Sequence, residues 1–169
     1  MRSHYLKALS LSVGLFVASL AMPASAHAQD GPLKLQVGVS VLHIDFNGIG
    51  ASGAIVKPLG PKGPGNLEAL GGAEFHDVDG LKVVAFGGGV RLLLKPNGKM
   101  TPFVQGIAGI THSEAGTDFG VAPGGGVSYA YSDKMNLIGD FSLAILHTDF
   151  DTRMGFRVLG GIEIPIGQK

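Results

Sequence analysis

From Leu33 onward the sequence alternates between apolar residues and polar or small ones. Leu33, Leu35, Val37, Val39 and Val41 occupy one parity, and Lys34, Gln36, Gly38 and Ser40 the other. Residues i and i+2 share a face of a strand, so this stretch predicts a β-strand with one greasy face. The pattern repeats down the chain and predicts strands near 33–43, 48–57, 66–76, 81–94, 101–112, 118–131, 135–147 and 154–166. The separators HIDFN, PLGPKGPG, HDVDG, KPNGKM, THSEAGTD, SDK and HTDFDTR are turn and loop chemistry. With 28 glycines in 169 residues, long helices are disfavoured. Past Gln29 no run of 18 or more apolar residues exists, so no membrane-spanning helix is available. Strands joined by short connections make an antiparallel meander, and closing the sheet removes its two open edges.

Residues 1–28 read as a cleaved signal peptide, with residues 29–169 as the barrel domain. Arg2 and Lys7 give a positive start, Leu9–Leu20 is an apolar run, and Ala26-His27-Ala28 offers a small-x-small cleavage pattern. The absence of cysteine excludes disulfide frameworks and thiol catalysis. Thirteen basic residues against 13 acidic ones leave no basic excess, so no nucleic-acid partner is expected. Export, an even strand count and one apolar face throughout predict an all-β fold, an eight-stranded antiparallel up-and-down transmembrane β-barrel of the outer membrane.

The segments PFVQGIAGITHSE, DFGVAPGGGVSYAYSDKMNLIGDFSLAIL and FRVLGGIEI carry a family resemblance. A Gly-rich strand, an aromatic strand end, a Ser-Asp-Lys turn and another strand follow one another over Val121–Phe141. This layout resembles the small outer-membrane barrels of the OmpA/OmpX-like type in the porin superfamily. The resemblance implies a cell-envelope protein in contact with outer-membrane lipid and lipopolysaccharide.

Parity assigns the faces. Leu35, Val37, Val39, Val41, Phe86, Val90, Leu92, Val104, Ile110, Val121, Val127, Phe141, Leu143, Ile145, Val158, Ile162 and Ile164 are expected toward lipid. Tyr129, Tyr131 and Phe103 are expected in an interfacial belt beside the lysine-rich turns. The inward face then carries Lys34, Gln36, Glu68, Glu74, Arg91, Gln105, Asp140, Arg157 and Glu163 among many Gly and Ala. An eight-stranded barrel is just wide enough for side chains to fill it, and charges in it must pair. Hairpin register pairs Glu68 with Arg91, barrel closure pairs Lys34 with Glu163, and Arg157 has Asp140 on the neighbouring strand. A filled lumen predicts a structural core rather than an ion path.

Four histidines recur at alternate connections, each beside acids: His43-x-Asp45, His76-Asp77-x-Asp79, His112-x-Glu114 and His147-x-Asp149-x-Asp151. Their spacings of 33, 36 and 35 residues match two strands, which puts all four at one rim. Lys57, Lys62, Lys95, Lys99 and Lys134 collect at the other. Imidazole and carboxylate oxygens are the donors for a divalent cation such as zinc, nickel or manganese. Alternatively, the acids share Ca²⁺ or Mg²⁺ with lipopolysaccharide phosphates, or are plain solvated turns. Strand-end parity turns His76 inward and His43, His112 and His147 outward, which works against convergence. A periplasmic N-terminus, usual for such barrels, would put the histidine rim outside the cell.

Gly87-Gly88-Gly89 and Gly124-Gly125-Gly126 neither open a helix nor precede Gly-Lys-Ser/Thr, so they fit no phosphate loop. His147-Thr148-Asp149 offers a base and an acid but lacks the His-x-Ser-Asn signature of outer-membrane deacylases. The expectation is a non-enzymatic outer-membrane barrel, with no resident cofactor beyond a possible rim cation. Its role would be envelope integrity, or binding of an extracellular ligand or host surface through short acidic loops. The alternatives are a small-solute or ion pore, and a soluble periplasmic lipocalin-like barrel around an apolar ligand. The last would turn the apolar parity inward.

Overall fold

A computed structural model describes residues 31–78, 80–114, 116–148 and 151–167. The proposed signal peptide lies outside these residues. Eight strands run in order: β1 (Leu33–Ile44), β2 (Phe46–Lys62), β3 (Gly65–Val78), β4 (Leu81–Leu93), β5 (Met100–Ser113), β6 (Gly116–Ser132), β7 (Met135–His147) and β8 (Thr152–Ile166). Each pairs antiparallel with its sequence neighbours, and β1 pairs with β8 from Leu33↔Ile166 to His43↔Phe156 to close the barrel. The strands run from 12 to 17 residues, long enough to cross a bilayer core that takes roughly 9–11 tilted residues.

Register fixes the faces. Val41↔Val158, Val39↔Gly160 and Leu35↔Ile164 carry the apolar parity of β1 onto β8, and Phe86↔Ile110 and Val104↔Leu92 do the same on β4 and β5. Val39, Ile49, Phe86, Phe119, Phe141, Met154 and Val158 are exposed on the outside. Glu68, Arg91, Asp140, Arg157 and Glu163 are buried inside. This arrangement is the reverse of a lipocalin-like barrel, whose polar face must meet water.

Three elements depart from the sequence-based expectation. The PLGPKGPG stretch is not a loop: β2 continues through Lys62, and only Gly63 and Pro64 form the turn. A bulge between Pro58 and Gly60 absorbs the irregularity, with Gly60 at φ 100°, a conformation open to glycine. HIDFN likewise shrinks to Asp45, a single residue at φ 61°, in the left-handed region that Asp tolerates. Phe103 does not join the interfacial belt. It shares parity with Gln105, points inward and is 2% exposed, whereas Tyr129 and Tyr131 are exposed outside.

Candidate functional site

The half of the lumen nearer the lysine rim is a packed ionic plug. Lys34 Nζ lies 2.6 Å from Glu68 Oε1 and 3.1 Å from Glu163 Oε1. Arg91 Nη1 lies 3.0 Å from Glu163 Oε2 and 3.6 Å from Glu68 Oε2. The same guanidinium donates from Nη2 to Gln36 Oε1 at 2.7 Å and from Nε to Gln105 Oε1 at 3.4 Å. Two cations and two anions therefore close a neutral set in which each charge has opposite partners. Beside it Phe103, Ile138 and Leu159 form an apolar cluster with Leu93 packed on it, and the Arg91 guanidinium stacks 4.5 Å from the Phe103 ring centroid.

A second network sits near mid-height. Arg157 donates from Nη1 to Asp140 Oδ1 at 2.8 Å and from Nε to Glu74 Oε2 at 3.0 Å, and its Nη2 also meets Glu74 Oε1. Ser142 Oγ ties the two networks together, accepting from Gln105 Nε2 at 3.5 Å and donating to Asp140 Oδ1 at 3.3 Å. All three pairings expected from register are thus present: Glu68 with Arg91, Lys34 with Glu163, and Arg157 with Asp140. The contacts of Lys34 with Glu68, Arg91 with Glu163 and Arg157 with Glu74 join strands that are not neighbours. They exist only because the sheet closes into a tube.

His76 is 2% exposed and faces the lumen, with Nε2 3.0 Å from Glu74 Oε2 and 3.4 Å from Ser40 Oγ. The trio of Ser40, His76 and Glu74 has the composition of a nucleophile, base and acid, but not the wiring. A carboxylate only accepts, so the ring proton sits on Nε2 and no lone pair faces the serine. In a working triad the acid orients one ring nitrogen and the nucleophile meets the other. Here Nδ1 has no hydrogen-bond partner and abuts Gly50, where an added Cβ would collide with the ring.

The other histidines bond across their own hairpins. His43 Nδ1 meets Asn47 Oδ1 at 2.8 Å, His112 Nδ1 meets Thr117 Oγ1 at 2.8 Å, and His147 Nδ1 meets Thr152 Oγ1 at 3.0 Å. The rim acids have separate local duties. Asp77 Oδ1 accepts from the Gly80 amide at 2.9 Å, Asp151 Oδ1 accepts from the Thr152 amide at 2.7 Å, and Asp45 Oδ2 lies 3.6 Å from Arg153 Nη1. Glu114 is exposed. Asp79 and Asp149 lie outside the described residues. Among the described residues no three His, Asp or Glu side chains gather as a metal site. The rim histidines are spaced by the strands, not drawn to a common centre.

Above mid-height the inward residues become small: Gly50 and Ser52 on β2, Ala85 and Gly87 on β4, Gly120 and Ala122 on β6, Ala144 on β7. They leave a cavity of about 140 Å³ with Leu42, Ile44, Val83, Ile107 and Leu146 on its walls and the second ionic network at its floor. The sequence-based picture of a uniformly filled lumen misses this void, although the run of small residues at inward parity encodes it.

No family's sequence profile matches the chain, and no curated protein matches it. Solved structures do resemble it. Neisserial surface protein A matches with a TM-score of 0.63 at 10% identity, over 79% of this chain and 96% of that one. The outer-membrane enzyme PagL matches at 0.52 and 13% identity, over 78% and 99%. A de novo designed transmembrane β-barrel matches at 0.51 and 20% identity, over 81% and 98%. At these identities the likeness is one of fold. The chain is an eight-stranded closed barrel of the outer-membrane type. Its strands are transmembrane strands, with the exposed apolar face toward lipid, and its location is the outer membrane.

Proposed function

We propose that this chain is a non-enzymatic, non-conducting barrel that contributes to envelope integrity and to surface contact at its acidic rim. The observation that carries this reading is the ionic plug, where Lys34, Glu68, Arg91 and Glu163 fill the cross-section together with Phe103, Ile138 and Leu159. A hydrated ion would have to displace a buried, mutually neutralised set of charges to pass, at a cost of several kcal/mol. The protonated Nε2 of His76 argues against hydrolysis inside the lumen. The short turns suit a role at the level of the headgroups, with rim acids sharing Ca²⁺ or Mg²⁺ with lipopolysaccharide phosphates.

Purified protein inserted into a planar bilayer is the test. The expected record is flat at the noise level across ±100 mV (an applied range of roughly ±2.3 kcal/mol per elementary charge). Discrete steps from the unmodified chain would replace this reading with that of a pore. In cells making the protein, its deletion is expected to raise uptake of a hydrophobic dye, with rescue by the intact gene.

A further inference from the structure

We propose that the half of the lumen nearer the histidine rim is a binding site for a small apolar molecule bearing a terminal ammonium group. This goes beyond the envelope role, and conductance does not enter its test. The cavity has the volume and lining of a ligand site. About 140 Å³ bounded by Leu42, Ile44, Val83, Ile107 and Leu146 is the space of one small ring or a short alkyl chain. Leu42 and Ile44 point inward yet remain partly exposed, so the cavity reaches water at the histidine rim.

The floor supplies the polar recognition. Asp140 is 5% exposed, its Oδ1 is taken by Arg157 and Ser142, and its Oδ2 has no partner. Ser52 Oγ is also buried without a partner, and both residues line the cavity. A buried carboxylate oxygen left unpaired is costly, and a ligand that donates to it recovers that cost. Charge selects the kind of donor. The two carboxylates Glu74 and Asp140 share the one guanidinium of Arg157, which makes the floor rich in acid.

The mouth agrees in sign. Among the described residues the rim carries Asp45, Asp77, Glu114, Asp118 and Asp151 against Lys82 and Arg153. An acidic opening over low-dielectric walls focuses field lines and concentrates cations at the entrance. An organic cation is drawn to the mouth, sheds water along the apolar walls and meets Asp140 Oδ2 at the floor. An anionic amphiphile is opposed at both ends.

The full barrel in phosphatidylcholine nanodiscs, titrated by calorimetry with hexylamine, hexanol and hexanoate against empty nanodiscs, tests this directly. Hexylamine is expected to bind at least about tenfold more tightly than hexanol, the margin of one charge-assisted hydrogen bond, with hexanoate weaker still. Asp140→Asn should erase the preference for the amine while hexanol binding persists. Ala122→Leu fills the cavity without touching the ionic network and should abolish binding of all three. Equal heats from the intact barrel and Ala122→Leu, or equal affinity for amine and alcohol, would overturn the proposal. If Asp140→Asn fails to fold, the Ala122→Leu comparison and the amine-to-alcohol ratio still decide it.

Discussion

The two halves of the lumen are built from the same alternating strands yet solve the filling problem in opposite ways. Toward the lysine rim, long side chains (Lys34, Glu68, Arg91, Phe103, Glu163) reach across the tube and meet non-neighbouring strands. Toward the histidine rim, Gly, Ala and Ser stand where those chains would be, and the strands face one another over open space. Stability therefore concentrates in the lower half and in the Arg157 network on its boundary, where long side chains tie distant strands together. The upper half is free to hold something else. The Arg157 network is the boundary: its lower side joins the plug through Ser142 and Gln105, and its upper side is the cavity floor.

That division is open to direct attack. Arg91→Ala leaves Glu68 and Glu163 buried with Lys34 as their remaining cation, and should cost about 3–5 kcal/mol. Urea unfolding of the barrel in lipid vesicles measures it, and a loss below about 1 kcal/mol would mean water readily enters the lower half. Phe103→Leu keeps apolar volume but removes the ring under Arg91, and should cost about 1–2 kcal/mol in the same assay. Ala122→Leu, in the upper half, should change stability by less than about 1 kcal/mol, because the added methyl groups enter space already present. A larger penalty would mean the upper half is as tightly packed as the lower. Asp45→Asn, at the rim, should fall within about 0.5 kcal/mol of the parent, since its bridge to Arg153 is exposed and Asn tolerates the same left-handed backbone.

Parity made the outer face and the charged lumen residues legible, because one residue of slip would turn every Val and Phe inward. Adjacent-strand register was enough to pair Glu68 with Arg91 and Arg157 with Asp140. Contacts across the tube, such as Glu74 with Arg157, depend on how far round the closed sheet each strand lies, which local pattern does not encode. Phe103 was misread by weighing its nearness to a strand end above its shared parity with Gln105. PLGPKGPG was misread because three prolines and three glycines normally stop a strand, whereas a bulge at Pro58/Gly60 lets β2 run on. The cavity was written in the sequence as small residues at inward parity, but their convergence at one end emerges only once eight strands are aligned.

The pairing of β1 with β8 has a topological consequence. Leu33 and Ile166 lie side by side at the lysine rim, in a seam that runs as regularly as any hairpin. The hydrogen-bonded sheet is thus a ring, and the interval between β8 and β1 is one gap among four at that rim, alongside Gly63-Pro64, Leu94–Lys99 and Asp133-Lys134. Joining residues 167 and 31 by a short polar linker and opening the chain at Asp133 would describe the same object from a different starting point. Which strand the ribosome makes first is a matter of genetic order; the finished cylinder keeps no trace of it.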